Sequence, residues 1–172
     1  MRCTTSAKLD SKYREAADGT QMINRVATRI ETFDGARLRA AREAKQWTQG
    51  RLAVKVQKGI SSVFAWESGA RSPEPKTLVR LAKELGIEPA DLLSRPADAW
   101  TLVEWRITNG LSQRDVATHL GVQLSVFGNI EAAYAEMKPA VLAGMAQLYG
   151  TTEDNIRAAW SRSRAHLESG ES

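Results

Sequence analysis

The sequence predicts an all-α fold of two tandem five-helix domains, and three observations carry that prediction. The chain repeats itself: a shift of 64 residues pairs Arg42 with Arg106, Gln49 with Gln113, Ala53 with Ala117 and Val63 with Phe127, then Glu67 with Glu131, Pro75 with Pro139, Leu78 with Leu142 and Gly86 with Gly150. Within each copy the apolar residues recur at helical spacing, and no stretch shows a convincing period-2 strand pattern. Turn and cap residues fall at matching places in the two copies, so the breaks between helices coincide as well.

The elements follow in chain order. Met1 to about Gly19 is polar and expected to be loose. Met22, Ile23, Val26 and Ile30 then recur as an amphipathic helix over residues 20–32, either a dimerisation element or a cover for the neighbouring core. Asp34 is placed to cap a helix over residues 35–45 with Leu38 facing inward, and Thr48 caps a second helix carrying Leu52, Ala53 and Val56. Gly59 breaks the pattern before a third helix with Val63 and Trp66 on one face. Gly69 to Pro73 is a loop, Pro75 opens a fourth helix that ends at Gly86, and Pro89–Leu93 is a short fifth. The second copy repeats this as Trp100–Thr108, Gln113–Leu120, Gln123–Glu131, Pro139–Tyr149 and Glu153–Arg164. The expected division is 1–34 for the N-terminal tail and its helix, 35–93 for the first domain, 94–98 for a linker, 99–160 for the second domain and 161–172 for a polar tail. Five linker residues reach roughly 17 Å at most, which keeps the two domains close neighbours.

Composition narrows the function. Of 172 residues, 42% are apolar and 26% charged, an ordinary globular balance. No run approaches the ~18 apolar residues of a membrane span, and the N-terminus lacks a hydrophobic signal core, so a cytoplasmic protein is expected. The single cysteine, Cys3, excludes an internal disulfide framework, and His119 and His166 cannot build a metal cage between them. No metal, cofactor or enzymatic activity is expected, because no nucleophile–base or metal constellation is visible. The net charge of +4 is unevenly spread: residues 35–97 hold twelve Lys/Arg against six Asp/Glu, whereas residues 98–172 hold six against nine. The basic block suits a polyanion.

The informative strings are Thr48-Gln49-Gly50-Arg51-Leu52-Ala53, Gly59-Ile60-Ser61-Ser62-Val63 and Trp66-Glu67-Ser68-Gly69, matched by Ser112-Gln113-Arg114-Asp115-Val116-Ala117, Leu120-Gly121-Val122-Gln123-Leu124-Ser125 and Ile130-Glu131. Each describes two short helices crossing closely at a small residue, Ala53 or Ala117, an arrangement that can push the second helix into a major groove. Over about residues 35–93 and 99–160 the chain resembles the helix-turn-helix module of the lambda-repressor and Cro-like (XRE) family. The resemblance implies a DNA-contact set of Thr48, Gln49, Lys58, Ile60, Ser61, Ser62, Ala65 and Arg71 in the first copy. In the second it implies Gln113, Gln123, Leu124, Ser125 and Asn129, with Val126 beside them. In that family the glutamine opening the second helix touches a phosphate and braces the recognition helix, whose first turn supplies base contacts. Arg42 with Glu67, and Arg106 with Glu131, match a family pair that ties the first helix to the end of the recognition helix.

The chain also departs from the family. Gln57-Lys58 stand where a glycine and an apolar residue are preferred, which predicts a reshaped turn. The first copy's contact positions are poor in long polar side chains, leaving thymine methyls, serine hydroxyls and DNA shape. In the second copy Ala133 replaces a glycine, the loop through Tyr134, Glu136 and Met137 is not basic, and Glu131 and Glu136 would oppose a phosphate there. Trp47, Trp66, Trp100, Trp105 and Trp160 suit core packing better than stacking platforms for single strands, and the Arg–Glu pairs suit structural ion pairs better than catalysis. The expected function is a double-stranded DNA-binding transcriptional regulator, with two modules engaging half-sites about 34 Å apart. The alternatives are a plasmid or phage maintenance factor, an antitoxin-type factor, or an adaptor whose acidic second module binds a protein. A homodimer or protein partner would engage residues 20–32 or the second module.

Overall fold

The computed structural model describes residues 30–169. The segment expected as an amphipathic helix lies outside them as far as residue 29, as do Cys3 and the last three residues; the side chain of His166 is also outside. Nine α-helices occur among the described residues, four in the first copy and five in the second. They are α1 (Gly35–Ala44), α2 (Gln49–Lys55), α3 (Ile60–Glu67), α4 (Pro75–Leu85), α5 (Leu102–Thr108), α6 (Gln113–His119), α7 (Leu124–Glu131), α8 (Pro139–Tyr149) and α9 (Glu153–Ser169). The first copy's short fifth element, Pro89–Leu92, is a 3-10 turn, and another such turn spans Ala97–Ala99. No helix among the described residues is long and apolar enough to cross a membrane.

The caps set these boundaries. Asp34 accepts from the backbone N–H of Ala36 and Arg37 to start α1, and Thr48 accepts from Arg51 to start α2. Ser112 and Asp115 form a reciprocal capping box at α6, as do Thr101 and Glu104 at α5. Proline opens both α4 and α8, and Gly86 and Gly150 close them in the left-handed conformation. Gly35 matters for a different reason. A side-chain carbon there would overlap the Trp66 carbonyl, so only glycine lets the start of α1 meet the end of α3.

Three sequence expectations need correction. Residues 30–32 are not helical: Ile30 is buried in the first core, its N–H donates to the Ser72 hydroxyl, and Phe33 pairs with Leu93 in a lone antiparallel bridge. Backbone pairing with the Leu92–Ser94 segment, not an amphipathic stripe, fixes this stretch. The last helix runs past Arg164 to Ser169, so much of the expected polar tail is helical. The Gln57-Lys58 turn is not reshaped. Gln57 takes the left-handed conformation (φ 55°) that Gly121 takes in the second copy (φ 65°). Lys58 N–H donates to Ala53 just as Val122 N–H donates to Ala117.

Each copy has its own core. Leu38, Leu52, Val63, Leu78 and Leu81 are fully buried in the first, and Val116, Phe127, Met145 and Ile156 in the second. The division at residues 94–98 is not a gap between them. Trp100 and Ile107, beyond that linker, belong to the first core, while Trp105 packs against both and meets Trp100 edge-to-face at 5.1 Å. Trp66 is buried too, and Trp47 and Trp160 pack on the rims of their cores, so the tryptophans are structural, as expected.

A buried carboxylate seals this joint. Glu104 accepts from Thr32 (3.2 Å), from Arg95 (3.1 Å) and from both the N–H and the hydroxyl of Thr101. It thereby links the segment before α1, the linker and the start of α5. On its far side, Arg162 of α9 donates to the Trp100 carbonyl at 2.7 Å.

A joint that shares tryptophans and a buried charge should make the two domains unfold as one cooperative unit. Calorimetry should show a single unfolding transition, and Glu104→Ala, which strands Arg95 and the Thr101 cap, should destabilise the whole unit by about 3 kcal/mol. Two separate melts in the natural chain would refute the coupling. Gln57→Gly should stabilise the protein by about 1 kcal/mol, because a left-handed backbone costs a residue with a Cβ roughly that much; chemical denaturation measures it.

Candidate nucleic-acid interface

Both copies rest on the same hydrogen-bonded brace. Arg42 Nε donates to Glu67 Oε1 at 2.6 Å and Nη2 to Oε2 at 3.0 Å, while Nη1 donates to the Trp47 carbonyl at 2.6 Å. Arg106 does the same toward Glu131 at 2.6 and 3.2 Å and toward the Leu111 carbonyl at 3.0 Å. One arginine therefore fixes the end of α3 (or α7) and the turn before the preceding helix together. The side chains are 9% and 4% exposed in the first pair and 6% and 3% in the second, so water competes little for either. Burial pushes the Glu67 carboxyl up, but hydrogen bonds from Arg42 and Gln49 outweigh it and hold the group below the usual carboxylate range. The Glu67 hydrogen bond in turn raises Arg42.

The two glutamines expected at phosphates complete this brace. Gln49 Nε2 donates to Glu67 at 2.9 Å and Gln113 Nε2 to Glu131 at 2.7 Å, so each glutamine is positioned by the ion pair beneath it. Thr48 serves as the α2 cap. On α3 the core takes Val63 and Trp66, which turns Ile60, Ser61, Phe64 and Ser68 to solvent, with Ser62 and Ala65 half-buried on its flanks. On α7 Phe127 and Ile130 face the core, and Leu124, Ser125, Val126 and Asn129 are exposed. Gln123 is the exposed cap residue of α7. Phe64 was missed by the sequence reading, although it lies one turn beyond Ile60 on the outward face.

The electrostatic setting differs between the copies. Lys58 is exposed just ahead of α3, and Arg71 is exposed at its far end, where its backbone N–H donates to the Ala65 carbonyl at 3.1 Å. Arg51 and Lys55 on α2, with Lys45, gather within 6 Å of the Trp47 ring. Among the described residues no carboxylate lies within ion-pair distance of Arg51, Lys55, Lys58 or Arg71. In the second copy the position of Arg51 is held by Asp115, which the Ser112 N–H and hydroxyl keep below its usual value and which faces Lys76 of the first copy at 3.9 Å. Ala135 stands where Arg71 does, its N–H donating to the Asn129 carbonyl at 3.1 Å. Glu131, expected to oppose a phosphate, is instead buried and neutralised by Arg106; Glu136 alone of that pair is exposed.

Two helices locked by a charged brace, with a third presenting an outward face, recur at the same register in both halves. Residues 38–92 match a family described as helix-turn-helix, and residues 99–159 match one described as helix-turn-helix domain. The chain is a tandem helix-turn-helix protein of the lambda-repressor-like type. No curated protein and no solved structure matches it. Within this tandem helix-turn-helix protein no group of three His, Cys, Asp or Glu among the described residues could hold a metal.

Glu67→Gln should cost about 3 kcal/mol, because it removes the buried, bidentate counter-charge of Arg42 and leaves only the half-exposed Glu43 at 3.4 Å. The Glu67 carboxyl is depressed in the folded state, so its contribution is complete above the unfolded value of about 4.3 and fades as pH falls through the lower folded value. The stability gap between natural chain and variant, measured by urea unfolding, should therefore be widest near neutrality and close in acid.

Proposed function

We propose that this protein is a sequence-specific double-stranded DNA-binding transcriptional regulator in which α3 is the principal recognition helix and α7 the secondary one. The observation that carries the reading is the exposed α3 face with Lys58 ahead of it and Arg71 after it, and Arg51 and Lys55 on the preceding α2, cations that no carboxylate among the described residues pairs with. Such a surface meets phosphates on either side of a groove and releases their counterions. Gln49 and the N-terminal N–H groups of α2 supply neutral phosphate contacts, and Ser61 and Ser62 reach base edges. The fixed joint at Glu104 and Trp100 supports both modules addressing one duplex as a single body, since their separation cannot drift. The second module has fewer free cations, Arg114 on α6 and Lys138 before α8, and adds preference through Gln123, Ser125 and Asn129, whose amide suits adenine.

A second reading for that module is a protein contact, favoured by the exposed Tyr134, Leu124 and Val126 beside a loop whose exposed charges, Glu136 and Lys138, offset each other. Occupancy near a promoter would place the protein among regulators; sites elsewhere would point to a maintenance or antitoxin-type factor.

Because Trp100 belongs to the first core, dissection at the linker would damage both halves. Full-length variants test the ranking instead. Arg71→Ala should weaken binding to all duplexes alike and lower the log–log salt slope by about 1, whereas Asn129→Ala should change base preference and leave the slope unchanged. Fluorescence-anisotropy titrations at several salt concentrations decide it, and an unaltered slope in Arg71→Ala would remove Arg71 from the phosphate contacts.

A further inference from the structure

The outward face of α3 has an unusual chemistry for a helix framed by cations. Ile60 and Phe64 stand one turn apart and are 58% and 63% exposed. The other side chains of that face and its flanks are Ser61, Ser62, Ala65 and Ser68, and the Ser68 hydroxyl is already donating to the Ala65 carbonyl at 3.2 Å. No side chain there can offer the paired donors and acceptors that distinguish guanine or adenine in the major groove. The apolar feature a base pair presents in that groove is the 5-methyl of thymine.

We infer that Ile60 and Phe64 read thymine methyl groups, so that the first module selects A·T pairs by apolar contact. The inference rests on the DNA-binding reading. It favours a duplex over face-to-face pairing with a second copy because the apolar pair lies between Lys58 and Arg71, where the same cationic face of a second copy would be repelled and phosphates attracted. The second module keeps an exposed apolar residue, Leu124, at the position of Ile60 but has Gly128 at that of Phe64. The pair of apolar side chains one turn apart, and the larger methyl dependence, therefore belong to the first module.

The test begins with a duplex enriched from a randomised pool by the full chain, synthesised with thymine and with uracil, which removes the methyl and leaves the pairing edge intact. Each contacted methyl should be worth about fourfold in affinity, so the uracil duplex should bind several-fold more weakly. Ile60→Ala and Phe64→Ala, at exposed positions that leave the core untouched, should each shrink the thymine–uracil difference. Equal affinity for both duplexes in the natural chain overturns the inference while leaving the DNA reading standing, as does an undiminished difference in both variants. Failure to enrich any duplex sinks both. A concentration-dependent dimer that Phe64→Ala abolishes without altering the thymine–uracil difference would assign the face to a second copy instead.

Discussion

The structure depends first on a buried arginine that answers three demands at once. Arg42 binds both carboxylate oxygens of Glu67 and the Trp47 carbonyl, and Arg106 repeats this toward Glu131 and Leu111. Helices of seven to ten residues are too short to hold themselves. Their angles must come from packing and from a few directional bonds. A planar guanidinium accepts only one arrangement of its partners, so the brace converts a loose apolar contact between helices into a defined crossing. Gln49 and Gln113 are oriented by the same carboxylates, which joins the stability of each module to the geometry of its outward face.

A second constraint acts between the modules. Glu104 has no counterpart in the first copy, where the aligned residue is Ala40. It is 2% exposed, and its hydrogen bonds to Thr32, Arg95 and Thr101 satisfy a charge that would otherwise be costly to bury. With Trp100 seated in the first core and held by Arg162 of the last helix, the duplicated unit has become a single body. This distinguishes the chain from two beads on a string, for which only effective concentration would couple the sites.

Divergence after duplication has been uneven. The brace, the caps and the turn hydrogen bonds persist in both copies, whereas the outer positions have changed sign or polarity: Asp115 for Arg51, Ala135 for Arg71, Asn129 for Ala65. Framework positions answer to packing, and outer positions answer to whatever lies against them. The first module has more unpaired cations near an apolar helix face, and the second has fewer, with the amide of Asn129 and the exposed ring of Tyr134 in their place.

Much of this was legible in the sequence because its signals are local. The 64-residue repeat, the Pro75 and Pro139 starts, the Gly86 and Gly150 stops and the Asp34, Thr48 and Ser112 caps each act within one turn of chain, so helix existence and order follow from neighbours alone. The Arg–Glu pairing was accessible too, through the matched positions in the two copies. The tertiary structure decided what depends on distant partners. Gln57 holds a left-handed turn because the helices on either side are already locked, and Ile30 leaves its helical pattern because the first core and Ser72 claim it. Glu131, which sequence alone set against a phosphate, is silenced by an arginine 25 residues away. Trp100 crosses the expected boundary for the same reason: periodicity reports which face of a helix is apolar, but only three-dimensional packing determines whose core that face completes.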